Sequence, residues 1–430
     1  MRWLYKLFIQ LYYFGILLAS LFSAKARMWI SGRKGLLPEM QRAAIQHAGT
    51  GEKRPLIWFH CASLGEFEQG RPVLERFRSE HPGWCILLTF FSPSGYEVRK
   101  NYAGADWVFY LPLDTASNVC KFLDIWKPQM AVFVKYEYWF TYITALHKRQ
   151  IPMVVISAIF RDNQYFFRFW GAWFRKQLRL IKCFFVQDEA SAALLKAYGI
   201  ENAVVGGDTR FDRVWRLRHS PEAFSEVAAF TGDDPVMIAG STWPKDEQAL
   251  SPLLKDKSLS MKFIIAPHEV NEERLRCIEA LAGKQSIRHS RLAAFRAGPG
   301  SNHQSERVLI IDSVGKLSHL YQYGNVAFVG GGFGQGIHNI LEAATFGLPV
   351  FFGPNYHKFA EARELVQLGS AFKINTGDEL QTQVKALLAD KKQLQQCTTT
   401  CLNYVESRKG ATDVIIKHLG EWLNARGLDK

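Results

Sequence analysis

Cysteine is scarce and scattered in this 430-residue chain: seven residues, no C-x-x-C pair, and no histidine at a zinc-site spacing from Cys397 and Cys401. A disulfide scaffold and a structural zinc site are excluded, and the thiols read as small apolar core residues of a reducing compartment. There is no D-x-D metal-binding signature and no G-x-x-x-x-G-K-[ST] phosphate loop, and no G-x-G-x-x-G opens the first α/β unit. A P-loop hydrolase and a nicotinamide dehydrogenase therefore lack their usual marks, and no metal or organic cofactor is implied. Acidic residues are in deficit, 40 Asp and Glu against 53 Lys and Arg, for a net charge of +13. The surplus is front-loaded: residues 1–54 carry nine basic and two acidic groups, a net of +7, leaving +6 for the rest. A nucleic-acid-binding body spreads its excess along a basic face, so no nucleic-acid partner is expected. Charge gathered at one terminus points to an anionic membrane surface.

Long apolar runs are also few, and the clearest is at the amino terminus. Leu7 to Ala24 contains 18 residues without a charge, with Arg2 and Lys6 before it and Lys25, Arg27, Arg33 and Lys34 after it. As a helix it would cover about 27 Å, so it spans a bilayer with slight mismatch or lies in the interface. The heavier positive charge after it keeps the downstream chain on the cytoplasmic side. The expectation is an anchor over residues 1–30 at the cytoplasmic face of an inner membrane. A cleaved signal peptide is the competing reading, because Ser23-Ala24-Lys25-Ala26 loosely resembles a cleavage site.

Beyond the anchor, short apolar runs alternate with helical patterns. Strands are predicted at 56–61, 85–90, 107–110, 130–134, 153–157 and 183–187. After a polar break at 213–234 they resume at 236–240, 262–266, 307–311, 325–329, 350–352 and 371–374. Continuous apolar strands separated by helices indicate parallel sheets covered on both faces. The expected architecture is α/β: two doubly wound, Rossmann-like domains facing a cleft, over 31–215 and 235–430, joined by a linker at 216–234.

Ligands of such sheets sit beyond strand carboxyl ends, and the chemistry-bearing motifs fall there. Gly330-Gly331-Gly332-Phe333-Gly334-Gln335-Gly336-Ile337-His338-Asn339 follows a strand and precedes a helix. Its backbone N–H groups can approach an anion, with the helix amino terminus adding positive charge and Glu342 accepting from a ribose diol. Gly240-Ser241-Thr242-Trp243-Pro244 and Asp312-Ser313-Val314-Gly315-Lys316-Leu317 follow two other strands and could converge on the same ligand. In the first domain Glu66 stands at a helix amino terminus, placed either to take a proton from an acceptor hydroxyl or to complement the helix dipole. Glu137, within Tyr136-Glu137-Tyr138-Trp139, is a second candidate. Arg210 can meet phosphate or carboxylate with its planar fork, or serve as a linker ion pair.

These residues together resemble the 3-deoxy-D-manno-octulosonic acid (Kdo) transferases of lipopolysaccharide assembly, over nearly the whole chain. The match is carried by His60-Cys61-Ala62-Ser63-Leu64-Gly65-Glu66, Tyr110-Leu111-Pro112-Leu113-Asp114, Ala145-Leu146-His147-Lys148-Arg149, and the stretch from Phe328 through His338-Asn339-Ile340-Leu341-Glu342 to Gly353-Pro354. The resemblance implies a GT-B glycosyltransferase, inverting and metal-independent, that moves Kdo from CMP-Kdo to the glucosamine disaccharide of a lipid A precursor. It maps the general base onto Glu66 and a transition-state cation onto Arg210. It maps CMP contacts onto Pro267-His268-Glu269, onto Val314-Gly315-Lys316, and onto Asn339, Ile340, Leu341 and Glu342. The chain departs from the family where Glu-Thr-Glu-Leu-Trp becomes Lys135-Tyr136-Glu137-Tyr138-Trp139, so the first Glu's role passes to Lys135 or Glu137. His268-Glu269-Val270-Asn271-Glu272 replaces Arg-His-Pro-Glu-Arg, and Lys316 stands where Glu is common. Two alternatives stay open: a GT-B transferase using a UDP-sugar on a lipid acceptor, and a catalytically silent nucleotide-binding scaffold at the membrane.

Overall fold

A computed structural model of the chain describes residues 1–48, 54–296 and 306–427; Glu52 and Lys53, counted in the terminal charge, lie outside them. Each run read as a strand becomes a strand of one of two sheets. The first contains β1 (Leu56–Cys61), β2 (Cys85–Phe90), β3 (Trp107–Tyr110), β4 (Met130–Val134), β5 (Met153–Ala158), β6 (Cys183–Val186) and β7 (Ala203–Val205). They lie parallel in the order β3-β2-β1-β4-β5-β6-β7. The second contains β8 (Val236–Thr242), β9 (Lys262–Pro267), β10 (Ser286–Arg288), β11 (Val308–Ile310), β12 (Val326–Val329), β13 (Val350–Phe352) and β14 (Ala371–Lys373). They are also parallel, in the order β10-β11-β9-β8-β12-β13-β14. The expected α/β fold with two doubly wound sheets stands. The sequence reading omits only β7 and β10, three-residue edge strands too short to show an apolar period.

Side chains alternate across the first sheet as the pleat requires. Trp58, Leu87, Phe133 and Val155 enter one core, and Ile57, Phe59, Leu88 and Val132 enter another on the opposite face. Both faces are covered, so the strands carry no polar alternation.

The chain divides into two compact units, Met1–Arg213 with Lys409–Lys430, and Val214–Arg408. This differs from the expected division at both ends. The 216–234 segment is not an open linker but holds the last turn of the helix Thr209–His219 and all of Ser225–Thr231. The last helix, Ala411–Ala425, returns to the first unit, where Ile415, Ile416, Leu419 and Leu423 complete the core that includes Ile57 and Phe59. Asp212 fixes the return: its buried carboxylate accepts the N–H of Gly410 (2.6 Å), the N–H of Thr412 (2.7 Å) and the Thr412 hydroxyl (2.8 Å). An amphipathic pattern shows that a helix has a core face but not which sheet it covers.

The uncharged amino-terminal run does not form one helix. A helix spans Arg2–Ala19, the chain turns, and a second helix, Ala24–Ser31, starts at Ser23, whose hydroxyl caps the N–H of Ala26. No helix among the described residues is long and apolar enough to cross a membrane, which corrects the spanning form of the anchor. The first helix is docked on its own unit. Ile9 is buried, the Tyr5 hydroxyl donates to Asp114, and Arg33, 3.8 Å over the Trp29 ring, donates to the carbonyls of Trp29, Phe91 and Leu111. Its other side presents Phe8, Leu11, Phe14 and Leu18 to the exterior, and Phe22 in the turn is 90% exposed.

Candidate active site

In the first unit, the strand order reverses between β1 and β4, so the loops after these neighbours diverge and leave a crevice at their carboxyl ends. Glu66 lies in the first turn of the helix Leu64–Glu80 that follows β1; it is half-buried, and the Ser63 hydroxyl donates to its carboxylate. After β4 the backbone takes a left-handed step at Lys135 (φ 65°), unusual for a residue with a side chain and characteristic of functional loops. That step leads into Tyr136 and Glu137. Glu137 accepts from the Trp139 indole N–H (2.7 Å) and from His60 Nε2 (3.2 Å). On the far side of the fully buried His60 ring, Nδ1 is 2.8 Å from the Thr89 hydroxyl, which receives the Trp58 indole N–H at 2.8 Å.

The candidates share one neighbourhood. Burial pushes the Cys61 thiol well up, and Glu66 and Glu137 both add to the rise. Burial also raises the Tyr136 hydroxyl, which feels Arg161, then Glu66, then Arg210. Glu66 is thus within electrostatic reach of both side chains, Glu137 of the Cys61 thiol and Arg210 of the Tyr136 hydroxyl. Arg210 is not an open fork, however. Its Nε (2.8 Å) and terminal nitrogen (2.7 Å) both rest on Asp208, whose other oxygen accepts the Arg210 N–H (2.9 Å). The ion-pair alternative is therefore the arrangement present.

In the second unit the order reverses between β8 and β12, and the glycine loop and Ser241-Thr242-Trp243 follow these strands. Their backbones touch. A Cβ on Gly330 would lie 2.3 Å from the Ser241 carbonyl oxygen, and one on Gly332 would meet the Gly353 backbone at 2.5 Å. Buried Asp246 ties the loop down by accepting the N–H of Gly331 (2.8 Å) and of Trp243 (2.9 Å). The N–H groups of Gly336 and His338 bond within the loop as well, so much of its donor capacity is spent on its own shape. The following helix is a single turn, Leu341–Ala344, too short to supply the dipole expected of it. Ile340 and Leu341 are core residues, while Asn339 and Glu342 are half-buried and joined by a 3.3 Å side-chain bond.

Pro267 ends β9, and the exposed His268 and Glu269 follow it. The His268 ring is stacked between Trp243 (4.7 Å) and His338 (4.4 Å), and the Trp243 indole donates to His338 Nε2 at 3.0 Å. Burial, assisted by His268, holds His338 down to about 4, as suits a ring nitrogen that must accept. Val314 is exposed, Gly315 turns at φ 93°, and Lys316 Nζ lies 3.3 Å from His289 Nδ1 and over the Phe224 ring.

Sequence reasoning missed the partners rather than the candidates. Asp208, Tyr136 and the role of His60 carried a signal only as neighbours of singled-out positions. The Trp243–His268–His338 stack draws on three separate loops and has no sequence period to reveal it.

Residues 37–213 match the family model described as 3-deoxy-D-manno-octulosonic-acid transferase. The chain is similar to the 3-deoxy-D-manno-octulosonic acid transferase of Rickettsia felis, 26% identical over 86% of this chain and 80% of the relative. It is similar to the transferase of the same name from Chlamydophila psittaci, 28% identical over 75% of this chain and 74% of the relative. In fold it is similar to the crystal structure of UDP-GlcNAc 2-epimerase from Neisseria meningitidis, with a TM-score of 0.59, 15% identity, and 85% of this chain matched to all of that one. The resemblance to the Kdo transferases, a family of glycosyltransferases, thus extends from single motifs to most of the chain's length.

Proposed function

We propose that this protein transfers Kdo from CMP-Kdo to a hydroxyl of the glucosamine disaccharide of a lipid A precursor, with inversion and without a metal. The observation that carries this reading is that Glu66 and Glu137 follow β1 and β4, the adjacent strands at which the order reverses, inside the segment that matches the transferase family. Glu66 takes the proton of the acceptor hydroxyl as its oxygen attacks the anomeric carbon of Kdo, and CMP departs with the bonding pair. Glu137, held by His60 and Trp139, is the carboxylate that replaces the family's first Glu. Arg210 gives cationic stabilisation as charge develops, oriented by Asp208. In the second unit, Pro267-His268-Glu269, Val314-Gly315-Lys316 and Asn339 to Glu342 hold the CMP portion, with Ile340 and Leu341 contributing backbone only.

The enzyme acts at the cytoplasmic face of the inner membrane. Its first helix lies in the interface, with Leu11, Phe14, Leu18 and Phe22 inserted and Lys25 and Arg27 at the headgroups. Leu18→Asp with Phe22→Asp should lower retention on anionic vesicles, since neither side chain belongs to the core; unchanged retention would contradict the interfacial placement. Incubation with CMP-Kdo and a lipid A precursor, with product masses read out, should show acceptor heavier by one or more Kdo residues. Transfer from a UDP-sugar instead, or CMP binding with no product from any donor, would overturn the assignment.

A further inference from the structure

We infer that the first unit carries an acyl-chain site for its acceptor, in the groove between the helix Arg2–Ala19 and the segment 165–174; this rests on the lipid acceptor proposed above. The groove has a volume of about 630 Å³, and Leu4, Phe8, Trp139, Trp170 and Phe174 are among its walls. That is the size of a ligand cleft, about 300–1,000 Å³. Its floor is formed by Tyr138 and Phe140, both buried, whereas Leu4, Phe8 and Trp170 at the rim are 49%, 59% and 47% exposed. A flat bilayer can cover such a rim but cannot fill the recess beneath it; an inserted hydrocarbon chain can.

Two features select the acceptor as the source of that chain. Tyr136 and Glu137 also line the groove, in the loop that carries the proposed carboxylate, so a chain lying in it belongs to the molecule whose hydroxyl reacts there. Beyond Tyr5 and Phe140, which line both spaces, lies a second cavity of about 390 Å³ lined by Arg2, Lys6, Lys148 and Lys176 among others. An apolar recess beside a cationic one complements a phosphorylated, acylated sugar: hydrocarbon in the first, phosphate in the second. The Tyr5 ring packs edge-on to Phe140 at 5.1 Å and its hydroxyl donates to Asp114, so the wall between the two spaces is fixed.

The test is a binding measurement on the full-length chain without donor, comparing the acylated glucosamine disaccharide bisphosphate in detergent with its deacylated form. Leu4→Trp narrows the groove from its exposed rim, and Trp170→Ala removes one wall. Each should weaken binding of the acylated acceptor about tenfold, the scale set by one or two misplaced methylenes in an apolar pocket. Binding of the deacylated disaccharide and flotation with vesicles lacking acceptor should be unchanged. Equal weakening for both acceptors, no weakening, no binding of the acylated form, or weakening that tracks lost flotation would overturn the site. Because no transfer is read, a wild-type chain that binds the acylated form more tightly but yields no Kdo product contradicts the proposed reaction and leaves the groove standing.

Discussion

His60 and Glu137 are joined across the β1–β4 reversal, Nε2 to Oε2 at 3.2 Å, with the histidine wholly buried and the carboxylate half in the crevice. At the other edge of the ring, Nδ1 lies 2.8 Å from the Thr89 hydroxyl and 3.1 Å from the Thr89 carbonyl, so the imidazole is held at both nitrogens. Glu137→Ala should leave the His60 and Trp139 donors unpaired and destabilise the first unit by about 2 kcal/mol in chemical denaturation. Glu137→Gln keeps one carbonyl acceptor and should cost less than half of that. Its turnover should still fall at least about tenfold, whereas Lys135→Ala should change turnover little. The reverse ranking would give the family's carboxylate role to the lysine.

Arg210 and Asp208 form a second such unit. Arg210→Ala should lower kcat by about 10²-fold with a smaller rise in donor KM, because the charge it offsets grows as CMP leaves. Arg210→Lys should recover part of the rate. Adding Asp208→Asn to Arg210→Ala should cost little more, since the orienting carboxylate then has nothing to orient. Additive losses in single-turnover kinetics would separate the two residues.

Asp212 should prove the clasp that returns the carboxyl-terminal helix. Asp212→Ala leaves the Gly410 and Thr412 donors without an acceptor in a buried setting, at a cost of about 1–3 kcal/mol. Hydrogen exchange of the amides in 411–425 should accelerate, while those of β8, β9 and β12 keep their protection. Unchanged exchange in the last helix would show that its apolar face alone holds it.

Most of the fold was legible because parallel strands buried on both faces must be apolar throughout, and runs such as Leu56–Cys61 and Val326–Val329 are. What was hidden is long-range pairing. Nothing near Asp212 announces that its partners are Gly410 and Thr412, and the uncharged run Leu7–Ala24 does not reveal the turn at Ser20–Ser23. The candidate carboxylates were legible from position, because each follows directly on an apolar run that reads as a strand; that β1 and β4 are neighbours at the reversal was not. The partners that hold them come from other strands, and the occupied fork of Arg210 depends on a backbone turn at Asp208.

The first helix should be tethered in a pH-dependent way through Asp114. Burial raises its carboxyl from the usual carboxylate range to about 6, against which the Tyr5 hydroxyl and the N–H groups of Thr141 and Tyr142 act. The folded state then holds its proton more tightly than the unfolded chain. This contribution to stability is complete below the ordinary carboxylate value, about 4, and is lost as pH rises through about 6. Stability of the first unit in urea titrations should accordingly carry a downward component between about pH 4 and 6 that Asp114→Asn removes. A slope unaltered in that variant would contradict the assignment.

The most direct measurement is the turnover of Glu66→Gln with CMP-Kdo and lipid A precursor, beside CMP binding by the same variant. Glutamine keeps the size of Glu66 and can still accept from the Ser63 hydroxyl, but it takes no proton; the rate should fall at least about a hundredfold, with CMP affinity unchanged. Glu68 is a poor control, because it pairs with Arg99 (2.8 Å) and Arg213 (3.0 Å); Glu80→Gln, at the exposed end of the same helix, should leave the rate intact. Near-normal turnover in Glu66→Gln, or an equal loss in Glu80→Gln, would contradict general-base catalysis by Glu66.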